Sequence, residues 1–467
     1  NAGFNLLGTS LAAQEYWDNH RALDYLLTRK DIDPEHIGVY GSSGGGTQTA
    51  YYIGLDPRVK VAAICSFFST RERTMELQGP SDGCQHIPYE GREQLEVPDF
   101  ALMMAPRPLL ILSGKYDFVD LWGAQQGYAE LQQCYKVLGV PEKVDMLTVE
   151  TGHGLGVEKR QKLVSWFKRW LKDDQSPVKK AAQDRFQLSD MLCTTRGQVN
   201  VSMPGALSIM QENVNQLDEW ASKREAFLSK GKKTVQAKML DLLGLKGLPD
   251  HKIRIEATGH DSMREYEQYK FQLIREGEMP VPCILIIPSR ANADSPVELR
   301  LQEEGKGTYL SEYANFAAAL TEGKILLLAD LRGLGETTDP AFYTDAKYWN
   351  REYRNAMISM HIGRPIMGQR VVDILTLLDF CSEHEFLKGH SVKVFANGIY
   401  GPAAIHAAYL DERINSVEIT HSVKTWKEYI ERPMQWDMYS NVLYGALKYY
   451  DLPDLIRLSN CPIRFAD

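Results

Sequence analysis

The sequence predicts an α/β protein made of two doubly wound, mostly parallel sheets joined by a helical linker. Three observations predict it. Short apolar runs of strand length alternate with helical patterns in both halves of the chain, as parallel strands joined by crossover helices require. Val61–Cys65 and Pro108–Leu112 are apolar without alternation, which fits strands covered on both faces. Residues 8–58 also lie without a gap on residues 363–413, so one helix–strand–helix order occurs twice. A length of 467 residues leaves room for at least two domains. The reading divides the chain into a first α/β domain at 1–172, a linker subdomain at 173–250 and a second α/β domain at 251–467.

Taken in order, residues 8–30 read as a helix after Gly8-Thr9-Ser10, with Tyr16, His20, Leu23 and Leu27 on one face. A polar turn with Pro34 leads into the strand Ile37–Tyr40, then a helix to about Leu55 closed by Asp56-Pro57. Val61–Cys65 is the next strand. Residues 66–105 show no clear regular element and contain Gly79-Pro80, Gly83 and Pro88; loops of that length in a compact domain are usually functional. Strands follow at Pro108–Leu112 and Val144–Val149, with helices over 121–138 and 157–172. The linker carries a short β-like run at Gln198–Ser202 and a long helical pattern from about Gln216 to Leu245. Strands resume at Cys283–Ile287, Ile325–Asp330, Val392–Phe395, Val417–Thr420 and Pro462–Phe465.

Composition narrows the function. The chain is 44% hydrophobic and 24% charged with a net charge of −8, both signs mixed throughout. No basic stripe points to nucleic acid, and no apolar run is long enough to cross a membrane. The cluster Lys230, Lys232 and Lys233 reads as a solvated helix face. Seven scattered cysteines without CxxC spacing, and the lack of an H-E-x-x-H motif, predict no metal and no cofactor. The start at Asn1, without Met, fits a mature or trimmed product.

The chemistry is carried by Gly41-Ser42-Ser43-Gly44-Gly45. Gly-x-Ser-x-Gly between a buried strand and a helix is the nucleophile elbow of an α/β-hydrolase. Its strained turn presents Ser43, and the Gly44 N–H points where a tetrahedral oxyanion forms. Glycines at 41 and 45 are expected to leave room for the crossing. A serine hydroxyl needs a base, and the base needs a carboxylate to orient it. Asp117 and His153 follow in the order this fold uses, each just past a predicted strand end. Strand ends on one edge of a parallel sheet converge, so Ser43, His153 and Asp117 form the candidate triad. Asp120 is the other candidate orienter, although its position also fits a helix N-cap. The 66–105 loop would roof the site, with Phe67, Phe68, His86 and Tyr89 as candidate substrate contacts. Cys84 with His86 lacks the separate supports a thiol dyad needs.

The repeat exposes a missing nucleophile. Gln14 meets Gln369, Leu23-Asp24 meets Leu378-Asp379, Asp56 meets Asp411 and Arg58 meets Arg413. Gly398 falls on Ser43, so the second domain is not expected to be an esterase by this mechanism. Counterparts of Leu326–Thr337 would precede Asn1, and the second domain's acid and histidine positions would follow Asp467. The expectation is a chain that starts and ends within its folds, with the second oxyanion donor of the first domain supplied by an early strand-to-helix loop.

With Gly-Ser-Ser-Gly-Gly-Gly at 41–46, the run Leu55–Lys60, Ala105–Leu110 and Gly114–Asp117, residues 8–172 resemble the bacterial acetyl xylan esterase and dienelactone hydrolase-like α/β-hydrolases. Asp330–Thr337 looks like the same group's early strand and turn in a degenerate copy. The resemblance implies Ser43, Asp117 and His153 as triad, an acetylated plant carbohydrate or other small ester as substrate, and export to the periplasm or beyond. Two alternatives stay open: a serine peptidase of the prolyl-oligopeptidase type, and a non-catalytic carbohydrate-binding protein. Peptidase elbows of that type usually carry an aromatic residue after the serine, where Gly44 stands.

Overall fold

The computed structural model describes residues 1–79, 82–178, 186–340, 352–435 and 437–466. They group into two compact units, one of Asn1 and Ser10–Ser208, the other of Ala2–Thr9 and Ile209–Asp467.

The first unit holds a four-stranded sheet in the order β1 (Gly38–Ser42), β2 (Val61–Cys65), β3 (Leu109–Gly114) and β4 (Val144–Val149), every neighbouring pair parallel. Parallel pairing puts all four carboxyl ends on one edge. Both faces are apolar because both are covered. Ala62, Ile64, Leu109 and Ile111 pack with Phe68, Leu131 and Tyr135, whereas Val61, Ala63, Leu110 and Leu112 pack with Leu163 and Trp166 of the helix Val157–Lys172. The helix Leu11–Leu27 starts where Ser10 Oγ accepts the Ala13 N–H at 3.1 Å.

The 66–105 stretch is more regular than the sequence suggests. It contains the helices Arg71–Gln78 and Val97–Leu102 and a helical turn at Gly83–Gln85; residues 80 and 81 lie outside the described residues. Short polar helices of this kind leave little periodic signal, because burial of a few polar side chains holds them. Arg71, 1% exposed, donates to Glu90 Oε2 (3.2 Å), Tyr51 Oη (2.9 Å) and Gln85 O (2.8 Å), tying the stretch to the helix after β1.

Within 173–250, residues to Ser208 group with the first unit and those from Ile209 with the second. Val199–Ser202 is a helical turn, not the β-like run the sequence suggests over Gln198–Ser202; both valines are exposed, so the turn has no buried apolar face of the kind a strand would present. The single helical pattern is two helices, Ile209–Leu228 and Lys232–Leu242, parted at Gly231 (φ 94°).

The second unit holds an eight-stranded sheet of β5 (Arg254–Ser262), β6 (Tyr266–Ile274), β7 (Val281–Pro288), β8 (Val297–Leu301), β9 (Ile325–Ala329), β10 (Val392–Asn397), β11 (Ile414–Thr420) and β12 (Ile463–Phe465). Its order is β12-β11-β10-β8-β9-β7-β6-β5. The β5–β6, β6–β7 and β7–β9 pairs are antiparallel and the others parallel. The repeat is visible element by element. Leu11–Leu27 corresponds to Ile366–Glu383, β1 to β10, Gly44–Ile53 to Gly401–Leu410, and β2 to β11. The shared side chains make the same bridge in each copy. Arg58 reaches Asp24 (2.5 Å) and Asp56 (2.8 Å); Arg413 reaches Asp379 (2.7 Å) and Asp411 (3.0 Å).

Candidate active site

The elbow is strained where it should be. Ser43 has φ 58° and ψ −122°, a conformation that side chains rarely adopt and that costs about 1–3 kcal/mol. Its N–H donates to Cys65 O (3.0 Å) at the end of β2. Gly44 begins the following helix, so its N–H has no acceptor within that helix and is free to meet an anion. Gly41 is required by space: a Cβ there would lie 1.9 Å from Gly45 O. Gly45 is not, since a Cβ would meet nothing within 4 Å. The expectation that both glycines relieve a clash is corrected at Gly45. The second crowded position is Gly46, whose Cβ would lie 2.7 Å from Cys65 O.

The loops after β3 and β4 are latched together. Lys115 N–H donates to Val149 O (2.8 Å) and Tyr116 N–H to Thr151 O (3.1 Å). His153 Nδ1 and Asp117 Oδ1 are 2.8 Å apart, and the Val119 N–H donates to the same oxygen at 3.1 Å. The Asp117 side chain is 1% exposed and that of His153 31%. Burial pushes the Asp117 carboxyl upward, but the hydrogen bonds from His153 and the Val119 N–H outweigh it and hold the group below its usual range. The Phe118 ring stacks on the imidazole with centroids 4.3 Å apart. Asp120 does not reach the imidazole. It caps the helix Leu121–Val137 by accepting the Gly123 N–H at 2.7 Å, and Arg73 donates to it.

The histidine loop is fixed to β2 as the elbow is. The Gly154 N–H donates to Ser66 Oγ (3.1 Å), one residue beyond the Cys65 carbonyl that receives the Ser43 N–H. The elbow and the histidine loop are therefore anchored to adjacent residues at one strand end. The hydroxyl of Ser43 and the ring of His153 are not hydrogen bonded to each other in this arrangement.

The roof residues are packed inward. Phe67 (9% exposed) and Phe68 (1%) belong to the core under the elbow helix, and His86 is buried. Tyr89 has φ 67° and carries the Arg92 guanidinium 4.0 Å above its ring. Sequence reasoning missed Ser66 and Lys159. Lys159 had a signal: it falls four residues before Leu163 and seven before Trp166, on the buried face of its helix.

Residues 7–174 match the prolyl oligopeptidase family. The match covers the stretch that carries the strained elbow and the His153–Asp117 pair. YtaP of Bacillus subtilis (strain 168), a protein assigned as a hydrolase, is 26% identical to the chain over 168 residues; the match covers 36% of this chain and 56% of YtaP. The α/β-hydrolase domain thus accounts for little more than half of that relative. Among solved structures, the chain is similar to a Bacteroides fragilis protein assigned as an acetyl xylan esterase, at 13% identity and a TM-score of 0.45, covering 56% of this chain and 76% of that one. It is also similar to acetyl xylan esterase 1 from Thermoanaerobacterium sp., at 13% identity and a TM-score of 0.35, covering 50% and 77%.

The second elbow keeps its backbone and loses its chemistry. Gly398 has φ 63°, within a few degrees of Ser43. The Ile399 N–H, in the place of Gly44, donates to Glu303 Oε2 at 3.1 Å. A Cβ on Gly398 would lie 1.6 Å from that oxygen. The Glu303 carboxylate, from the loop after β8, fills the space that a nucleophile's side chain would need.

Proposed function

We propose that the first unit is a serine carboxylic-ester hydrolase in which Ser43 is the nucleophile, His153 the general base, Asp117 the orienting carboxylate and the Gly44 N–H an oxyanion donor. The observation that carries the reading is the 2.8 Å pair of His153 with the buried Asp117 carboxylate, its histidine loop anchored to the same strand end as the strained Ser43 elbow. His153 takes the Ser43 proton as the oxygen attacks the ester carbonyl. Asp117 holds the Nδ1–H tautomer and stabilises the imidazolium. The Gly44 N–H receives the oxyanion in a direction the backbone has already fixed. The alcohol leaves with the proton from His153, and water clears the acyl-enzyme by the same route in reverse.

The substrate class proposed is an acetylated plant carbohydrate or a related small ester. It rests on the motif resemblance at 41–46, 55–60, 105–110 and 114–117. Gly44, which leaves the space after the nucleophile open, favours an ester over a peptide site. The family match at 7–174 favours a peptidase as the second reading. Hydrolysis of p-nitrophenyl acetate against a prolyl-p-nitroanilide separates them. Ser43→Ala is expected to abolish ester turnover with the fold intact, and Asp117→Asn to lower kcat by up to about 10⁴-fold through the wrong imidazole tautomer. Unchanged turnover in Ser43→Ala removes Ser43 from the mechanism.

A further inference from the structure

Lys159 is 0% exposed, and among the described residues no carboxylate lies within ion-pair distance of its ammonium. A buried, unpaired cation is costly enough that a fold retains it only where something depends on it. Its hydrogen bonds say what that is. Nζ donates to Gly154 O (3.0 Å), the residue after His153, and to Ser66 Oγ (3.1 Å). Ser66 is itself strained, with φ 49°, and 3% exposed. Its oxygen accepts from Lys159 and from the Gly154 N–H, at 3.1 Å each, so one hydroxyl joins the lysine to the histidine loop. Two separately unfavourable features, a buried ammonium and a left-handed serine, thus meet on both faces of the histidine loop.

We propose that Lys159 and Ser66 are the positioning pair of the active site: they clamp Gly154 by its N–H and C=O and so fix the His153 ring against Asp117. Neither touches the substrate. The inference deepens the esterase reading and rests on it for the role of His153. The titratable side chains nearest the pair are Asp117 from the loop after β3 and His153 from the loop after β4. On the lysine's own helix Glu158 and Arg160 point to solvent, and Glu150 is paired with Lys115 at 2.6 Å.

The pair is tested with Ser66→Gly and Lys159→Met. Glycine keeps the left-handed backbone without its strain and removes only the hydroxyl, so folding is retained while the clamp is lost. Both variants are expected to lower kcat on p-nitrophenyl acetate by about 10–100-fold, the effect of loosening a catalytic group by a fraction of an ångström to an ångström. The low-field proton resonance of the His153–Asp117 hydrogen bond provides a readout that needs no substrate, and it is expected to weaken or vanish in Ser66→Gly. Wild-type kcat and resonance in folded Ser66→Gly overturn the proposal. Turnover surviving in Ser43→Ala overturns the esterase reading instead, and the resonance then still decides whether the pair positions His153.

Discussion

The blocked second elbow makes a quantitative prediction. In Gly398→Ala the new Cβ would stand 1.6 Å from Glu303 Oε2, so the carboxylate must leave. The Ile399 N–H, in a residue 8% exposed, then loses a charged acceptor, at about 1–3 kcal/mol. A side chain at φ 63° adds about 1–2 kcal/mol. The sum, about 2–5 kcal/mol, corresponds to a fall of about 4–20 °C in the melting temperature of a unit this size. Glu303→Ala alone is expected to cost about 1–3 kcal/mol, through the same lost hydrogen bond. In the double variant the bond can be lost only once and nothing remains to clash with, so the two costs overlap by about 1–2 kcal/mol. Urea unfolding of the four proteins, followed by the fluorescence of buried Trp426 in the second unit, measures the cycle. Additive costs, or a Gly398→Ala variant as stable as wild type, refute the claim that Glu303 occupies the elbow. Gly398→Ser with Glu303→Ala in a Ser43→Ala background is expected to show no ester turnover, because a hydroxyl without a base is a poor nucleophile.

Two further predictions concern the first unit. Gly41→Ala is expected to destroy the elbow and with it activity, since its Cβ would overlap the Gly45 carbonyl; Gly45→Ala is expected to be folded, active and up to about 1 kcal/mol more stable, having open space and a helical position. Thermal melts with activity assays on the pair check this, and equal tolerance at both positions would contradict the packing. Asp56, 1% exposed, has its carboxyl raised by burial but lowered more by Arg58 and Tyr52, so its pKa lies below the ordinary range. A depressed folded-state pKa stabilises above the unfolded value of about 3.9 and is lost as pH falls through the folded value. Arg58→Met is therefore expected to cost about 2–3 kcal/mol at pH 7, discounted for an arginine that is 26% exposed, and progressively less below about pH 4. A penalty constant from pH 7 to pH 3 would rule out the ion pair as its source.

What the sequence disclosed, and what it hid, divides along the nature of the signal. Continuous apolar strands such as Val61–Cys65 were legible because a sheet covered on both faces admits no polar alternation. The repeat was legible because it was kept by side chains with fixed partners. Asp24, Asp56 and Arg58 recur as Asp379, Asp411 and Arg413 since a bridge missing one member would leave a buried charge alone. β5, β6 and β8 were not anticipated. β5 and β6 form a partly exposed antiparallel hairpin, and β8 carries Glu298 and Arg300 among five residues, so none presents an unbroken apolar run. The helices in 66–105 are too short for a period to register.

The two elbows show most clearly what a sequence pattern can convey. Ser43 and Gly398 share a left-handed backbone, so the strained turn belongs to the fold and not to the nucleophile. The same holds one strand on: Ser66 at φ 49° is matched by His421 at φ 52°. Chemistry was then added or withdrawn on this fixed frame by single side chains. Gly-x-Ser-x-Gly announces the addition, because its residues are contiguous. The withdrawal depends on Glu303, ninety-five positions before Gly398, and the support of the histidine loop on Ser66 and Lys159, ninety-three apart. No local window contains either arrangement. A lysine on the apolar face of an amphipathic helix was the one trace left in the sequence. Its physical meaning, an ammonium whose partners must be somewhere inside, becomes specific only when the fold brings Gly154 and Ser66 to it.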